Sequence, residues 1–509
     1  MSGEAKSQMN ERSSARHPAA NSAVKSSFAS DVLTLATGSI FAQALMILAS
    51  PLLTRLYDPD DFGIYALFIS MTGIVTTIAC LRYDIAIMLP ERDDEAANVL
   101  ALSLILAFSI SAFTIPFLWL AKAPLLRLLN AQGLEPYFWL LPLAIFLGGT
   151  ASALNYWNSR TKHFKRLSMA RITSSVTTTC TQLGAGLTGY AAGGSLIGGS
   201  MAGSAVSVMW LGSKIRHDSY DIRKSIHMGS IGSEFKRYCK FPTIDLLSAL
   251  LNTLSWQIPV ILLSAFFSST IVGFYALGFR VIHLPMSFLG SSISQVFFKR
   301  CVEANADGTL NEVVEKVFRI LVVLSLLPML VLTISGGEIF IFIFGENWVE
   351  AGIYAQFLGL WAFIWFVSSP IATLYFVLER QEFGLKLNII NFVTRLISIY
   401  VGGMMQSPRI AIILFALTGI IVYGYLLITL FDYAYIPRQI ILQILSTSFV
   451  KVIPACTILI AFKLMEVGPM IQTLASGTMI IIFYIYIIKT DPFVRSLADN
   501  LRGSRLSKN

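Results

Sequence analysis

Charge is what this chain has least of. Charged residues make up 13% of its 509 residues, against 55% apolar ones, and the mean hydropathy is +0.69. Soluble domains carry about 25% charged residues, so a water-soluble globular protein is excluded and an integral membrane protein follows. Cysteine is also sparse. Cys80, Cys180, Cys239, Cys301 and Cys456 are scattered without a CxxC pair, which leaves no disulfide framework and no thiolate metal site. The sequence has no HExxH, no G-x-S-x-G, no Walker A loop and no dinucleotide fingerprint. No catalytic residue, metal or cofactor is therefore expected, and no enzyme. His163, His217 and His227 lie in basic loops, and His283 stands alone in an apolar stretch. The connections between apolar stretches are short on the side poor in lysine and arginine, the longest being Ala121–Pro136. None could fold as a separate domain there.

What remains is apolar and helical. Stretches of about 20 apolar residues match the thickness of a bilayer, whereas a membrane β-barrel would show alternating segments of about ten. Fourteen such stretches are expected, among them Val32–Leu53, Ile64–Leu89, Ile172–Tyr190 and Thr270–Phe298. The fifth and sixth are rich in glycine, serine and threonine, residues that let membrane helices pack closely. Gly193-Gly194 and Gly198-Gly199 lie there and read as packing positions, not as a phosphate loop.

Lysine and arginine orient the layout, because they accumulate on the cytoplasmic side of a membrane. With the N-terminal segment inside, 31 of the 38 fall in inner segments, five in outer turns, and Arg280 and Arg395 within spans. Both termini are then cytoplasmic. The net charge of +9 is a consequence of this sorting and implies no nucleic acid partner.

The chain is also duplicated. Gly63-Ile64-Tyr65-Ala66-Leu67 returns 210 residues later as Gly273-Phe274-Tyr275-Ala276-Leu277, each copy opening a long apolar helix after a polar turn. The fold class expected is an all-α polytopic membrane protein of about 14 helices, with two parallel six-helix repeats followed by two further helices. The parts are a disordered tail over 1–30, a first lobe over 31–213, a basic linker over 214–241, a second lobe over 242–431, two extra helices over 432–490, and a basic tail over 491–509.

Charges inside a membrane are costly and usually face a polar cavity. Arg280 falls seven residues after Gly273, about 10 Å along the helix at 1.5 Å per residue. Arg395 falls near mid-membrane, Arg82 and Asp84 near the inner end of the second span, and Asp245 near the inner start of the seventh. Arg280, Arg395 and Arg82 are candidates to hold an anionic substrate group such as a phosphate; structural pairing or snorkelling to the interface is the alternative. Asp84 and Asp245 are candidates for ion coupling. Asp58-Pro59-Asp60-Asp61 reads as a turn and helix cap, with Asp60 or Asp61 as the capping side chain.

The stretch LLTRLYDPDDFGIYALFIS, with LRYDIAIMLPERDDEAANVL after it, resembles the Wzx-type polysaccharide and O-antigen oligosaccharide flippases. Their superfamily also holds the multidrug/toxin extruders and the MurJ lipid II flippases. The family pattern L-T-R-x-Y-x-P-x-D-F-G-x-Y is met by Leu53, Thr54, Arg55, Tyr57, Pro59, Asp61, Phe62, Gly63 and Tyr65. Its L-R-Y-E is here Leu81-Arg82-Tyr83-Asp84, one methylene shorter at the acid. The resemblance implies two six-helix lobes in a V around a cationic cavity. It implies alternating access for an undecaprenyl-diphosphate-linked oligosaccharide in the bacterial inner membrane, with a polysaccharide polymerase and export proteins as partners. A cation-coupled drug antiporter, a lipid II flippase and a polytopic polymerase or acyltransferase are the competing expectations.

Overall fold

The computed structural model describes residues 17–215 and 226–490. The expected tail over 491–509, most of the tail over 1–30 and the middle of the linker lie outside the described residues. Every regular element described is helical. The first six long helices are α1 (His17–Leu56), α2 (Pro59–Ala79), α4 (Asp93–Leu128), α5 (Leu141–Arg160), α6 (Phe164–Leu187) and α7 (Gly193–Ile215), with a single turn α3 (Tyr83–Ala86) after α2. A short helix α8 (Met228–Arg237) follows. The second set runs α9 (Leu246–Phe266), α10 (Ser269–Pro285), α11 (Ser291–Asp307), α12 (Leu310–Phe344), α13 (Val349–Ile371), α14 (Leu374–Val377), α15 (Gln381–Met404) and α16 (Pro408–Tyr433). Helices α17 (Arg438–Leu464) and α18 (Pro469–Thr490) close the chain, both packed on α12.

Thirteen helices among the described residues are long and apolar enough to cross a membrane. The exception among the expected spans is α6, a 24-residue helix of spanning length whose face is Ser/Thr-rich. It is covered by α1 and α7, so its hydroxyls meet other helices, and several return to their own backbone, as Ser175 Oγ does to the Ile172 carbonyl at 3.0 Å. Apolar side chains such as Leu48, Phe113, Trp119, Leu120 and Ile421 stand exposed on the outside of the bundle. In water such a surface would aggregate; in lipid it is solvated. The chain is a multi-pass membrane protein.

The first helix is described from His17 to Leu56. Two expectations about helix ends change. The second span does not run to Leu89. It stops at Ala79, because Leu81 (φ 47°) and Arg82 (φ 66°) take left-handed backbone conformations. The eighth stretch is interrupted by a π-helical turn over Met286–Gly290, and a second π turn over Phe241–Asp245 leads into α9. Both turns sit at the end of the bundle where the lysines and arginines gather, called here the basic end.

The two helix sets meet most closely where α2 crosses α10. The crossing is reciprocal. A Cβ added at Gly63 would overlap the Ser269 carbonyl, and one at Gly273 would overlap the Pro59 carbonyl. Each glycine therefore meets the residue four positions before the other. The repeated G-x-Y-A-L marks this contact, a local two-fold in which neither helix can carry a side chain.

Gly63→Ala and Gly273→Ala are expected to lower the thermal unfolding midpoint of the purified protein by a few degrees each, from about 1–3 kcal/mol of overpacking. Gly198→Ala, whose Cβ would meet nothing within 4 Å, should leave the midpoint unchanged.

Candidate functional site

The candidate site is the boundary between the two helix sets, bridged at both ends by contacts from α2 and the turns that flank it. At the end opposite the basic one, the Asp58-Pro59-Asp60-Asp61 turn starts α2. Asp58 is the N-cap residue, and its N donates to Asp61 Oδ2 at 3.2 Å, the third-residue half of a capping box. Asp60 points elsewhere: it accepts hydrogen bonds from Ser269 Oγ and, at 3.3 Å, Thr270 Oγ1 in the first turn of α10. A carboxylate there faces the positive end of the helix dipole. Beside it Trp348 Nε1 donates to the Thr54 carbonyl at 2.9 Å, and its ring meets Phe62 edge-on at 4.9 Å. Tyr57, almost fully buried, donates from its hydroxyl to the Gln182 carbonyl at 2.6 Å. Thus Tyr57, Pro59, Asp61, Phe62 and Gly63 build this closure; Tyr65 packs half-buried beside it, and Arg55 is exposed.

Along its length α2 lies antiparallel to α9. Ser70 Oγ donates to the Gln257 carbonyl at 3.3 Å, and the hydroxyls of Thr77 and Thr253 lie 3.1 Å apart. At the basic end the seam finishes with an ion pair, Arg82 Nε to Asp245 Oδ2 at 2.7 Å. Asp245 stands on the π turn before α9, and the left-handed backbone at Arg82 carries that side chain off the α2 axis. Helix α8 reinforces this end. Tyr83 stacks on Phe235 at 5.5 Å and donates to its carbonyl at 2.8 Å, and Arg237 pairs with Glu95 at 3.0 Å. Burial pushes the Glu234 carboxyl up from its ordinary value, and burial likewise raises the Tyr83 phenol.

The five charges singled out in the sequence have separate surroundings. Arg82 and Asp245 are partners of each other. Asp84 turns into the first helix set, 5% exposed, accepting from Ser152 Oγ at 2.5 Å through Oδ2 while Oδ1 has no partner. Arg395 does not line an open cavity. It is 4% exposed, its Nη1 donating to the Ser255 carbonyl at 3.0 Å and Nη2 to Tyr423 at 3.1 Å, with the guanidinium 4.0 Å above the Trp256 ring. It ties α9 to α15 and α16 as a satisfied interior cation. Arg280 differs. It is half-buried on α10, and among the described residues no hydrogen bond or ion pair involves it. Seven residues past Gly273, it falls on the helix face that meets α2, about 10 Å inward of the glycine crossing.

Two features escaped the sequence reading. Asp60 looked like one more turn residue, and Trp348 sits in an unremarked Gly-Glu-Asn-Trp turn; both act across the gap. The repeated glycine was the available signal that their two helices touch.

Two helix sets joined through Asp60 and Trp348 at one end and through Arg82–Asp245 at the other form one all-helical membrane fold. The solved structures that resemble the chain agree. The lipid II flippase MurJ, in an inward closed conformation, superposes with a TM-score of 0.68 at 14% identity, covering 90% of this chain and 99% of that one. An inward-facing multidrug resistance MATE transporter of the MOP superfamily gives 0.61 at 16%, covering 80% and 94%. A point mutant of the Vibrio cholerae MATE transporter VcmN gives 0.51 at 15%, covering 81% and 97%. The family model described as polysaccharide biosynthesis protein matches residues 52–352, and the chain belongs to that family. No protein of curated function matches it.

Arg395→Gln is expected to reduce the folded protein recovered from membranes several-fold, since it strips buried, charge-assisted hydrogen bonds worth about 1.5–3 kcal/mol each. Arg280→Gln should leave recovery at the parent level. Fluorescence size-exclusion profiles of the two variants check both.

Proposed function

We propose that the chain is a flippase, not an enzyme, that moves a lipid-linked oligosaccharide, joined to its lipid through a diphosphate, across the bacterial inner membrane for surface polysaccharide synthesis. The observation that carries this reading is Arg280: a half-buried cation without a partner among the described residues, on the face of α10 turned toward α2. A guanidinium held that way lacks an anion, and its planar fork suits a phosphate. A cationic drug would require a carboxylate in its place, which ranks the drug antiporter below the flippase.

The apolar part of such a substrate also has a place to lie. A cavity of about 460 Å³ runs between α13, α16 and α17, walled by Phe363, Val367, Leu427, Phe431, Leu445 and Phe449. Leu360, Ile428 and Leu442 on its rim are exposed, so it opens toward lipid. At one end Arg438 and Asp432 face each other at 3.9 Å. A polyprenyl chain matches a wall of this kind.

In this reading the basic end faces the cytoplasm, as the lysine and arginine distribution requires, and both termini lie inside. The two lobes rock as units about the gap, opening one end and then the other. A polysaccharide polymerase and export proteins would take the product.

Deletion of the chain, complemented by parent or Arg280→Gln, tests the reading. Deletion should abolish surface polysaccharide and trap lipid-linked repeat units on the cytoplasmic leaflet. Arg280→Gln should restore no more than about a tenth of the surface glycan, the loss of one charge-assisted contact. Normal glycan in the deletion strain, with new sensitivity to cationic dyes, would replace the flippase by the antiporter.

A further inference from the structure

Arg82 has two carboxylates close by and uses one. Asp245, from the second helix set, holds its Nε at 2.7 Å. Asp84, two residues along the chain and in Arg82's own set, is buried with Oδ1 unpartnered. Arg82 immediately precedes the short α3, whose first turn holds Asp84, so both carboxylates lie beside one arginine. Around Asp84 stand Ser152 and Tyr156 of α5 and the thiol of Cys80. Helix α4 brings apolar Ala97 and Leu100 to this cluster, and its acidic residues Asp93 and Glu95 are already taken by Arg160 and Arg237. An unsatisfied buried carboxylate oxygen is costly. Arg82, at the start of the same short turn, is a cation placed to satisfy it.

We propose that Arg82 is a two-position switch, paired with Asp245 across the gap while the basic end is shut and with Asp84 of its own lobe when that end opens. The proposal rests on the rocking of the two lobes. When the lobes part, Asp245 leaves with α9, and a guanidinium with nothing to replace it would resist the separation. Asp84 supplies the replacement, with an oxygen already free. The left-handed backbone at Leu81 and Arg82 is the joint on which the side chain turns, since a conformation that L residues rarely adopt has a relaxed alternative nearby. Asp245 thus favours the closed state and Asp84 the open one, through a single arginine.

Opposite signs make this testable. Spin labels at Leu89 and Leu247, both exposed at the basic end, report the separation of the lobes in the full chain with Cys180, Cys239 and Cys456 changed to serine. The measurement is made in lipid nanodiscs without any substrate. Asp245→Asn should raise the population at the longer distance about threefold and Asp84→Asn should lower it about threefold, as expected for losing one partly exposed ion pair. Ser152→Ala, which frees Asp84 Oδ2 as well, should raise it. If Asp84→Asn fails to accumulate in membranes, Ser152→Ala carries the same test with the sign reversed. Shifts in one direction for Asp84→Asn and Asp245→Asn, or none for either in a chain that samples both distances, would overturn the switch. A single distance in the parent and every variant would overturn the rocking itself, and the switch with it.

Discussion

Backbone against backbone at Gly63 and Gly273 is the constraint from which the rest follows. Two helices that approach until one's carbonyl fills the other's missing Cβ must cross there and diverge beyond. Arg280 lies on that same face of α10, seven residues further along. The same approach brings Asp60 within reach of the first turn of α10 and seats Trp348 over the turn before α2. Side chains further along α2 then meet α9 instead of α10, which is why the seam of hydroxyls ends on Asp245.

The charges sort by what surrounds them, not by depth. Arg395 is deep and fully occupied, so it serves packing. Arg280 is less buried, and among the described residues no hydrogen bond or ion pair involves it. From the sequence both were arginines in apolar helices, and nothing in their spacing separates a satisfied cation from a vacant one. The difference lies in Ser255, Trp256 and Tyr423, which reach Arg395 from other helices.

Much of the architecture was legible because a bilayer imposes it. Span length and the repeated G-x-Y-A-L each follow from local sequence and each agrees with the helices found. The glycine echo carried more than its spacing suggested: it named the two residues that touch. The breaks were not legible. Leu81 and Arg82 are poor choices for left-handed backbone by propensity alone, and only the pairing of Arg82 with Asp245 and the burial of Tyr83 explain why the helix ends there. The π turns were only half visible: Pro242 lies in the first and Pro285 just before the second, residues that mark a break in a helix without saying which kind. For α6 the difficulty ran the other way. Its hydroxyls disguise a helix of spanning length, and only its neighbours show that they are sheltered.

The π turn over Phe241–Asp245 also bears on how chains of this kind vary in length. It holds one residue more than an α-helical turn would, and each residue turns a helix by about 100°. On its N-terminal side α8 is docked on the first helix set through Phe235; on its C-terminal side Asp245 faces Arg82. The surplus residue takes up the angular mismatch between those two attachments. A chain shortened by one position here would keep its spans intact and still relax to ordinary α-helix. It would then have to give up either the docked α8 or the ion pair. Insertions and deletions that a hydropathy profile would count as silent are, at this turn, substitutions of one attachment for the other.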